Sequence, residues 1–141
     1  MGNTKPIGVA YSDQDISGAD LISGADIYAT DEIGYIGAAQ GTVTQATSKS
    51  TAVTLNTSAG QITMNAASLA ATTNVTFTLN NSKLSSKDVV VVNVTGAAAN
   101  ETYNCWVSNQ TSGSCAITLR NISGGSLAEA VVINFAIIHG A

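Results

Sequence analysis

The feature that most constrains the fold is a two-residue alternation of apolar and polar side chains that recurs between Gly41 and Gly140. From Asn74 to Asn80, for example, valine, phenylalanine and leucine alternate with asparagine and threonine. Successive side chains of a β-strand point to opposite faces, so each such stretch offers one face to a core and one to water. The pattern therefore predicts an all-β domain.

Eight strands are expected, because turn signals rich in Gly, Ser and Asn separate the alternating stretches. Their predicted bounds are 41–47, 51–57, 60–66, 73–80, 87–95, 102–109, 114–122 and 129–139. Many short strands with regular turns indicate a jelly-roll-like antiparallel β-sandwich. We assign residues 41–141 to this domain and residues 1–40 to an extended N-terminal arm. The predicted inward positions are Val53, Leu55, Val75, Phe77, Leu79, Tyr103, Cys105, Val107, Ile117, Leu119, Val131, Ile133, Phe135 and Ile137.

The N-terminal arm contains a tandem six-residue repeat, in which Ile22–Ile27 directly follows Ile16–Leu21. A third unit, Tyr28–Ile33, keeps the spacing with other residues. One short repeat cannot bury its own apolar residues and usually stacks against neighbours. Two interpretations remain open, a flexible leader with a chance duplication or an arm that becomes ordered on a trimer axis or a partner surface. The second interpretation predicts partner contacts through Ile16, Leu21, Ile22, Ile27, Tyr28 and Ile33.

Two strands are apolar on both faces, which indicates that both faces are covered. The run Val89–Val92 has no polar face, and in the last strand Val132, Ala136 and Ile138 form a second apolar face opposite the inward one. Either the arm or another subunit would cover them, and a cyclic trimer is preferred by analogy with jelly-roll assemblies. Trp106 points away from the core side of its strand, where it could serve a subunit interface, local packing or stacking on a sugar. The predicted interface residues are Val89, Val91, Trp106, Val132 and Ile138.

The charge pattern excludes several classes of partner. The net charge is −4, and the five Lys and Arg residues do not cluster into a surface that could neutralise phosphates, so no nucleic-acid partner is expected. Apolar runs fall short of the roughly 20 residues of a spanning helix, and no signal peptide is visible, so no membrane partner is expected. Charged residues make up only 10% of the chain. This composition fits either a low-charge β-domain or a subunit whose surface is occupied in an assembly.

No constellation of residues predicts catalysis. His139 is the single histidine, and no partners for a triad or a zinc site accompany it. Cys105 and Cys115 are the two cysteines, and a hairpin that places them opposite each other would make a cross-strand disulfide conceivable. Two reduced thiols packed in the core are favoured instead. We therefore expect no enzymatic activity, no catalytic residue, no cofactor and no metal ion.

Several strings in the predicted domain resemble a family of small virion proteins of tailed bacteriophages, often found with the capsid genes of short-tailed phages and cyanophages. The similar strings are Gly41–Thr51 with Val53–Leu55, Gly60–Asn65, Asp88–Asn93, Ser114–Asn121 and Ala128–Phe135. The resemblance covers roughly residues 41–140, and its motifs are structural.

The resemblance implies a capsid decoration (cement) protein. The expected protein is made in the host cytoplasm and sits on the capsid exterior of the virion as a homotrimer, with its arm on the major capsid protein. A trimeric receptor-binding or fibre-tip module is the alternative, and its partner would be a host-surface glycan stacked on Trp106. A hydrolase is the least favoured class.

Overall fold

The computed structural model describes residues 32–96 and 101–140 of the chain. Within these ranges a short 3-10 helix, Gly37–Ala39, precedes eight β-strands. The strands are β1 (Gln40–Thr44), β2 (Val53–Thr54), β3 (Ala59–Thr63), β4 (Asn74–Asn80), β5 (Val89–Gly96), β6 (Tyr103–Thr111), β7 (Ser114–Asn121) and β8 (Val132–Ile138). One compact unit spans Gly34–Ala141.

The strands form two four-stranded sheets packed against each other. The first sheet has the order β1-β3-β8-β5, and the second has the order β2-β4-β7-β6. Consecutive strands from β1 to β4 alternate between the two sheets. The predicted all-β sandwich of eight strands is confirmed.

Two of the strand pairs in the described ranges are parallel, whereas an antiparallel sandwich was expected. β1 runs parallel to β3, and β2 runs parallel to β4; the other pairs are antiparallel. The chain crosses to the other sheet and reverses after each of β1, β2 and β3. Strands two apart in sequence therefore share both a sheet and a direction, and the intervening strand provides the crossover that parallel pairing requires.

The hydrophobic core lies between the sheets, and it confirms the predicted inward positions. Most of them are buried, and Leu55, Val75, Tyr103, Cys105 and Val107 are partly buried against the same cluster. The buried cluster also contains Ile62, Met64, Leu69, Leu84 and Cys115. Burial of such side chains supplies the main driving force for folding of a β-sandwich.

Two glycines bring β1 and β3 close to the segment that follows β2. Gly41 and Gly60 stand opposite each other in the parallel pair. A Cβ on Gly60 would lie 2.7 Å from the Gly41 carbonyl oxygen and 2.8 Å from Leu55 Cδ2. A glycine at position 60 therefore allows the Leu55 side chain to pack against β1 and β3.

β2 spans Val53–Thr54, shorter than the predicted 51–57, and it begins later because a buried side chain organises the preceding loop. Gln45 Nε2 donates to the carbonyl oxygens of Lys49 at 3.1 Å and Thr51 at 2.8 Å. Gln45 Oε1 accepts from the Asn65 backbone at 3.1 Å. The loop's backbone is thus partnered by an amide side chain instead of a neighbouring strand.

The hairpin register that would place Cys105 opposite Cys115 is not formed. Cys105 stands opposite Leu119, and Cys115 stands opposite Gln110. β6 continues to Thr111 through a bulge after Val107, so the hairpin turn is shorter than predicted and includes Gly113 with a φ of +84°.

Both cysteines are free thiols facing the core. Burial raises the pKa of the Cys115 thiol to about 11 and also raises the pKa of the half-buried Cys105. These thiols therefore pack as small apolar groups.

Candidate functional site

An apolar patch lies on the outer face of the first sheet, where β5 pairs with β8. Val89 stands opposite Ile138, and Val91 stands opposite Ala136. The exposed fractions are 58% for Val89, 50% for Val91 and 60% for Ile138, while Ala136 is half-buried. These four residues constitute what we call the β5/β8 patch, and they form one continuous apolar surface.

The β5/β8 patch arises because β5 is apolar on both faces. Its alternate residues Val90, Val92 and Val94 pack against the core, so Val89 and Val91 must point outward. β5 is also an edge strand of its sheet. Apolar side chains clustered on an edge strand favour association with another surface.

Beside the patch, a row of polar but uncharged side chains crosses the outer face of the first sheet. Thr42, Gln61, Asn134 and Asn93 stand opposite one another in a row across all four strands. Gln61 Nε2 donates to Asn134 Oδ1 at 3.0 Å, and the Thr95 hydroxyl donates to the same oxygen at 3.1 Å. Such a row can meet another surface without the cost of desolvating a charge.

The predicted interface residues do not share one surface. Val89, Val91 and Ile138 form part of the patch, whereas Val132 stands opposite Gly96 at the other end of β8 and is half-buried. Trp106 lies on β6 in the second sheet. No single flat contact can therefore include all five.

Trp106 lies on the outer face of the second sheet, which is rich in hydroxyl groups. It stands opposite Thr118 of β7 and is half-buried. The Thr118 hydroxyl lies 2.8 Å from that of Thr76 and donates to the Ser108 hydroxyl at 3.0 Å. The indole thus shares its face with side chains that can donate and accept hydrogen bonds.

The predicted partner contacts of the arm fall largely outside the described residues. Ile16, Leu21, Ile22, Ile27 and Tyr28 lie in the undescribed range 1–31. Ile33 is described, and its side chain is 79% exposed.

His139, which the sequence leaves without partners, contacts a buried aspartate. Its Nδ1 lies 3.1 Å from Asp88 Oδ2, and the Asp88 side chain is almost fully buried. Asp88 also accepts from the Ser85 backbone and hydroxyl, both at 2.8 Å, and from the Gly140 backbone at 3.0 Å. Hydrogen bonds from Ser85 and then from Gly140 and His139 hold the pKa of the Asp88 carboxyl well below its ordinary value.

This serine, aspartate and histidine do not form a catalytic triad. A nucleophilic serine must contact the histidine that accepts its proton. Here the Ser85 hydroxyl and the His139 ring contact different oxygens of Asp88, which lies between them. The cluster instead holds residues 139–140, which follow β8, against the loop that precedes β5. Sequence reasoning missed it, since only the fold brings Asp88 to His139.

A second buried polar cluster centres on Lys49, which is only 3% exposed. Its Nζ donates to the backbone oxygens of Asn65 at 2.7 Å and Glu129 at 2.6 Å. Burial lowers the pKa of Lys49, an effect that the Glu129 carboxylate opposes. That carboxylate accepts from the Tyr103 hydroxyl at 2.7 Å, while burial and Glu129 raise the pKa of Tyr103. Lys49 therefore joins the loop between β1 and β2 to the segment that follows β3 and to the segment that precedes β8.

We also searched residues 32–96 and 101–140 for metal sites and for membrane-spanning helices. No group of three or more His, Cys, Asp and Glu in these ranges could hold a metal ion. No helix within them is long and apolar enough to cross a bilayer.

Comparison of the chain with protein-family models, curated proteins and solved structures gave no match. Function must therefore be inferred from the surfaces of the molecule together with its sequence.

Proposed function

We propose that the protein is a structural virion protein that decorates and stabilises a tailed-phage capsid as a homotrimer. The observation that carries the proposal is the β5/β8 patch, because the described part of one chain leaves Val89, Val91 and Ile138 at least half exposed. Full burial of a valine or isoleucine side chain contributes about 1.5–3 kcal/mol. Contact between copies through this patch would therefore favour association, and the resemblance to small phage virion proteins supplies the capsid setting.

A decoration protein stabilises a shell by bridging coat subunits. When the bridged subunits separate, the surface buried between them and the bridge returns to water, which costs free energy in proportion to its area. A trimer would present three copies of the N-terminal arm to the major capsid protein. Linked contacts of this kind bind much more tightly than any single one, provided that they can engage together.

The first test is the number of copies in a virion. Quantitative mass spectrometry of particles from a phage that encodes this chain should find hundreds of copies, in a fixed ratio to the major capsid protein. Particles made without the chain should release their DNA at a lower temperature. A few dozen copies or fewer would contradict a decoration role.

The second test concerns the arm, and the repeat provides its matched control. Leu21→Asp combined with Ile27→Asp places two charges at apolar repeat positions and should abolish binding of the purified protein to capsids that lack it. Ser17→Asp combined with Ser23→Asp adds the same charge at polar repeat positions and should preserve binding. Equal binding by both variants would rule out the apolar repeat as the anchor.

A trimeric receptor-binding or fibre-tip module is the second candidate, and the position of Trp106 favours it. An indole on a hydroxyl-rich face can stack on a sugar while its neighbours form hydrogen bonds. This role requires few copies per particle, and Trp106→Ala should then reduce adsorption to the host without changing the release of DNA on heating.

A further inference from the structure

A groove of about 520 Å³ crosses the outer face of the first sheet over β1, β3 and β8. This volume is within the usual range for small-molecule sites. The polar and aromatic side chains that line the groove are Tyr35, Gln40, Thr42, Gln61 and Asn134. The remaining lining residues are Gly37, Gly41, Ala59, Gly60 and Phe135, so no charged side chain borders it.

The amide groups of the groove are held in place by internal hydrogen bonds. Gln61 Nε2 donates to Asn134 Oδ1 at 3.0 Å, and Gln40 Nε2 donates to the Tyr35 backbone oxygen at 2.6 Å. Among the described residues these bonds leave open the amide nitrogen of Asn134 and the amide oxygens of Gln61 and Gln40. The Thr42 hydroxyl, in the same row as Gln61, can both donate and accept. The groove therefore offers donors and acceptors, several of them carried on rigid strands.

Tyr35 supplies an aromatic ring at the border of the groove. Its hydroxyl donates to the Ile137 carbonyl oxygen, which anchors the side chain to β8. Because the hydroxyl proton is already donated, the ring and the acceptor capacity of the hydroxyl oxygen are the parts of Tyr35 that remain for a ligand. Aromatic rings pack well against apolar C–H surfaces, including those of sugars.

The chemistry of the lining favours a neutral ligand that is rich in hydrogen-bonding groups. An anion or cation would find no opposite charge, and an apolar ligand would leave several amide groups without hydrogen bonds. A neutral oligosaccharide instead carries hydroxyls that both donate and accept, beside C–H faces that suit Tyr35. We propose that this groove binds a neutral oligosaccharide, with Gln61 and Asn134 as its central hydrogen-bonding residues. The proposal is independent of a decoration role and places the sugar on the opposite sheet from Trp106.

Binding is tested first with the full chain on a printed array that contains neutral glucans, galactans and N-acetylhexosamine oligomers. The array also contains sialylated, sulfated and uronate-bearing glycans. We expect binding to neutral glycans. Binding to none of them, or to charged glycans alone, would overturn the proposal.

The site is then located by nuclear magnetic resonance, with the strongest array ligand as the probe. The side-chain amide signals of Gln61 and Asn134 should shift during the titration. The signals of the Asn104 amide and the Trp106 indole, both on the second sheet, should not. Shifts confined to Asn104 and Trp106 would overturn the proposal by placing the sugar on the other face.

Two variants with a matched control complete the test. Gln61→Ala should weaken binding at least about tenfold, since it removes an amide that contacts the ligand. Thr42→Trp should fill the groove from an exposed position without removing an internal hydrogen bond. Asn104→Ala removes an exposed amide from the second sheet and should leave affinity unchanged. Full affinity in both groove variants, with melting temperatures unchanged, would overturn the assignment.

Discussion

Val89 on β5 lies directly opposite Ile138 on β8, and both side chains are more than half exposed. The next pair of residues, Asp88 and His139, is joined by a contact of 3.1 Å between His139 Nδ1 and Asp88 Oδ2. A polar contact therefore fixes the ends of the two strands beside an apolar pair that faces outward. This arrangement holds the β5/β8 patch in a defined geometry.

Introduction of charge into the patch should weaken the trimer that we propose. Val89→Asp and Ile138→Asp each replace an apolar contact with a carboxylate that would have to lose its hydration in the interface. We expect self-association to weaken at least about tenfold for either variant. Sedimentation velocity across a concentration series measures the effect.

Ile122→Asp is the matched control for these variants. Ile122 is similarly exposed, at 48%, but it follows β7 and lies outside the patch. Its substitution should leave the association constant unchanged. Equal losses in all three variants would show that added charge, and not the patch, is responsible.

Asp88 should make stability depend on pH in the acid range. Because its pKa is lowered in the folded chain, the carboxyl stabilises the fold fully above the ordinary pKa of aspartate, about 4. That contribution is lost as the pH falls through the lowered folded value. Asp88→Asn should therefore reduce the melting temperature at pH 7, and the difference from the parent protein should shrink below about pH 4.

Glu101→Gln, at an exposed carboxylate, is the control for the pH series. It should give a melting temperature close to that of the parent protein at pH 7. If Asp88→Asn proved as stable as the parent at neutral pH, the hydrogen bonds to this carboxyl would contribute nothing to the fold.

The buried lysine gives a second stability prediction. Lys49→Met removes the donor to two backbone oxygens, those of Asn65 and Glu129, and should cost about 2–3 kcal/mol of the free energy of unfolding. Exposed Lys83 provides the control, and Lys83→Met should stay within about 0.5 kcal/mol of the parent. Urea unfolding at one protein concentration measures both. Identical midpoints of urea unfolding for Lys49→Met and Lys83→Met would contradict a structural role for Lys49.

Because β1 and β3 approach each other closely at Gly60, a methyl group added there should lower the free energy of unfolding. In Gly60→Ala the new Cβ would lie 2.7 Å from the Gly41 carbonyl oxygen, so strands or core side chains must shift. Overpacking of this kind costs about 1–3 kcal/mol. Gly124→Ala adds the same group where nothing lies within 4 Å, and it should be neutral in urea unfolding. A neutral Gly60→Ala would mean that the two strands can separate without cost.

The fold class and the core could be predicted because both depend on local alternation. Phe77 and Ile117 face the core as the period of two requires, and Val89 and Val91 face outward for the same reason. The alternation alone therefore predicts most of the β5/β8 patch.

Long-range relationships could not be predicted in this way. The register that separates Cys105 from Cys115 depends on where β6 turns, and the bulge after Val107 has no sequence signal of its own. Asp88 and His139 meet only because β5 and β8 are neighbours in one sheet. The groove was missed because Tyr35 falls in the segment that we assigned to the arm.

The central claim is that copies of this chain associate through an apolar face, and equilibrium sedimentation of the full chain tests it most directly. We predict a mass three times that of the 14.2 kDa chain at micromolar concentrations, falling towards the single-chain mass in Val89→Asp. A mass of 14.2 kDa at every concentration would contradict the claim, because Val89, Val91 and Ile138 would then be stable in water without a second copy.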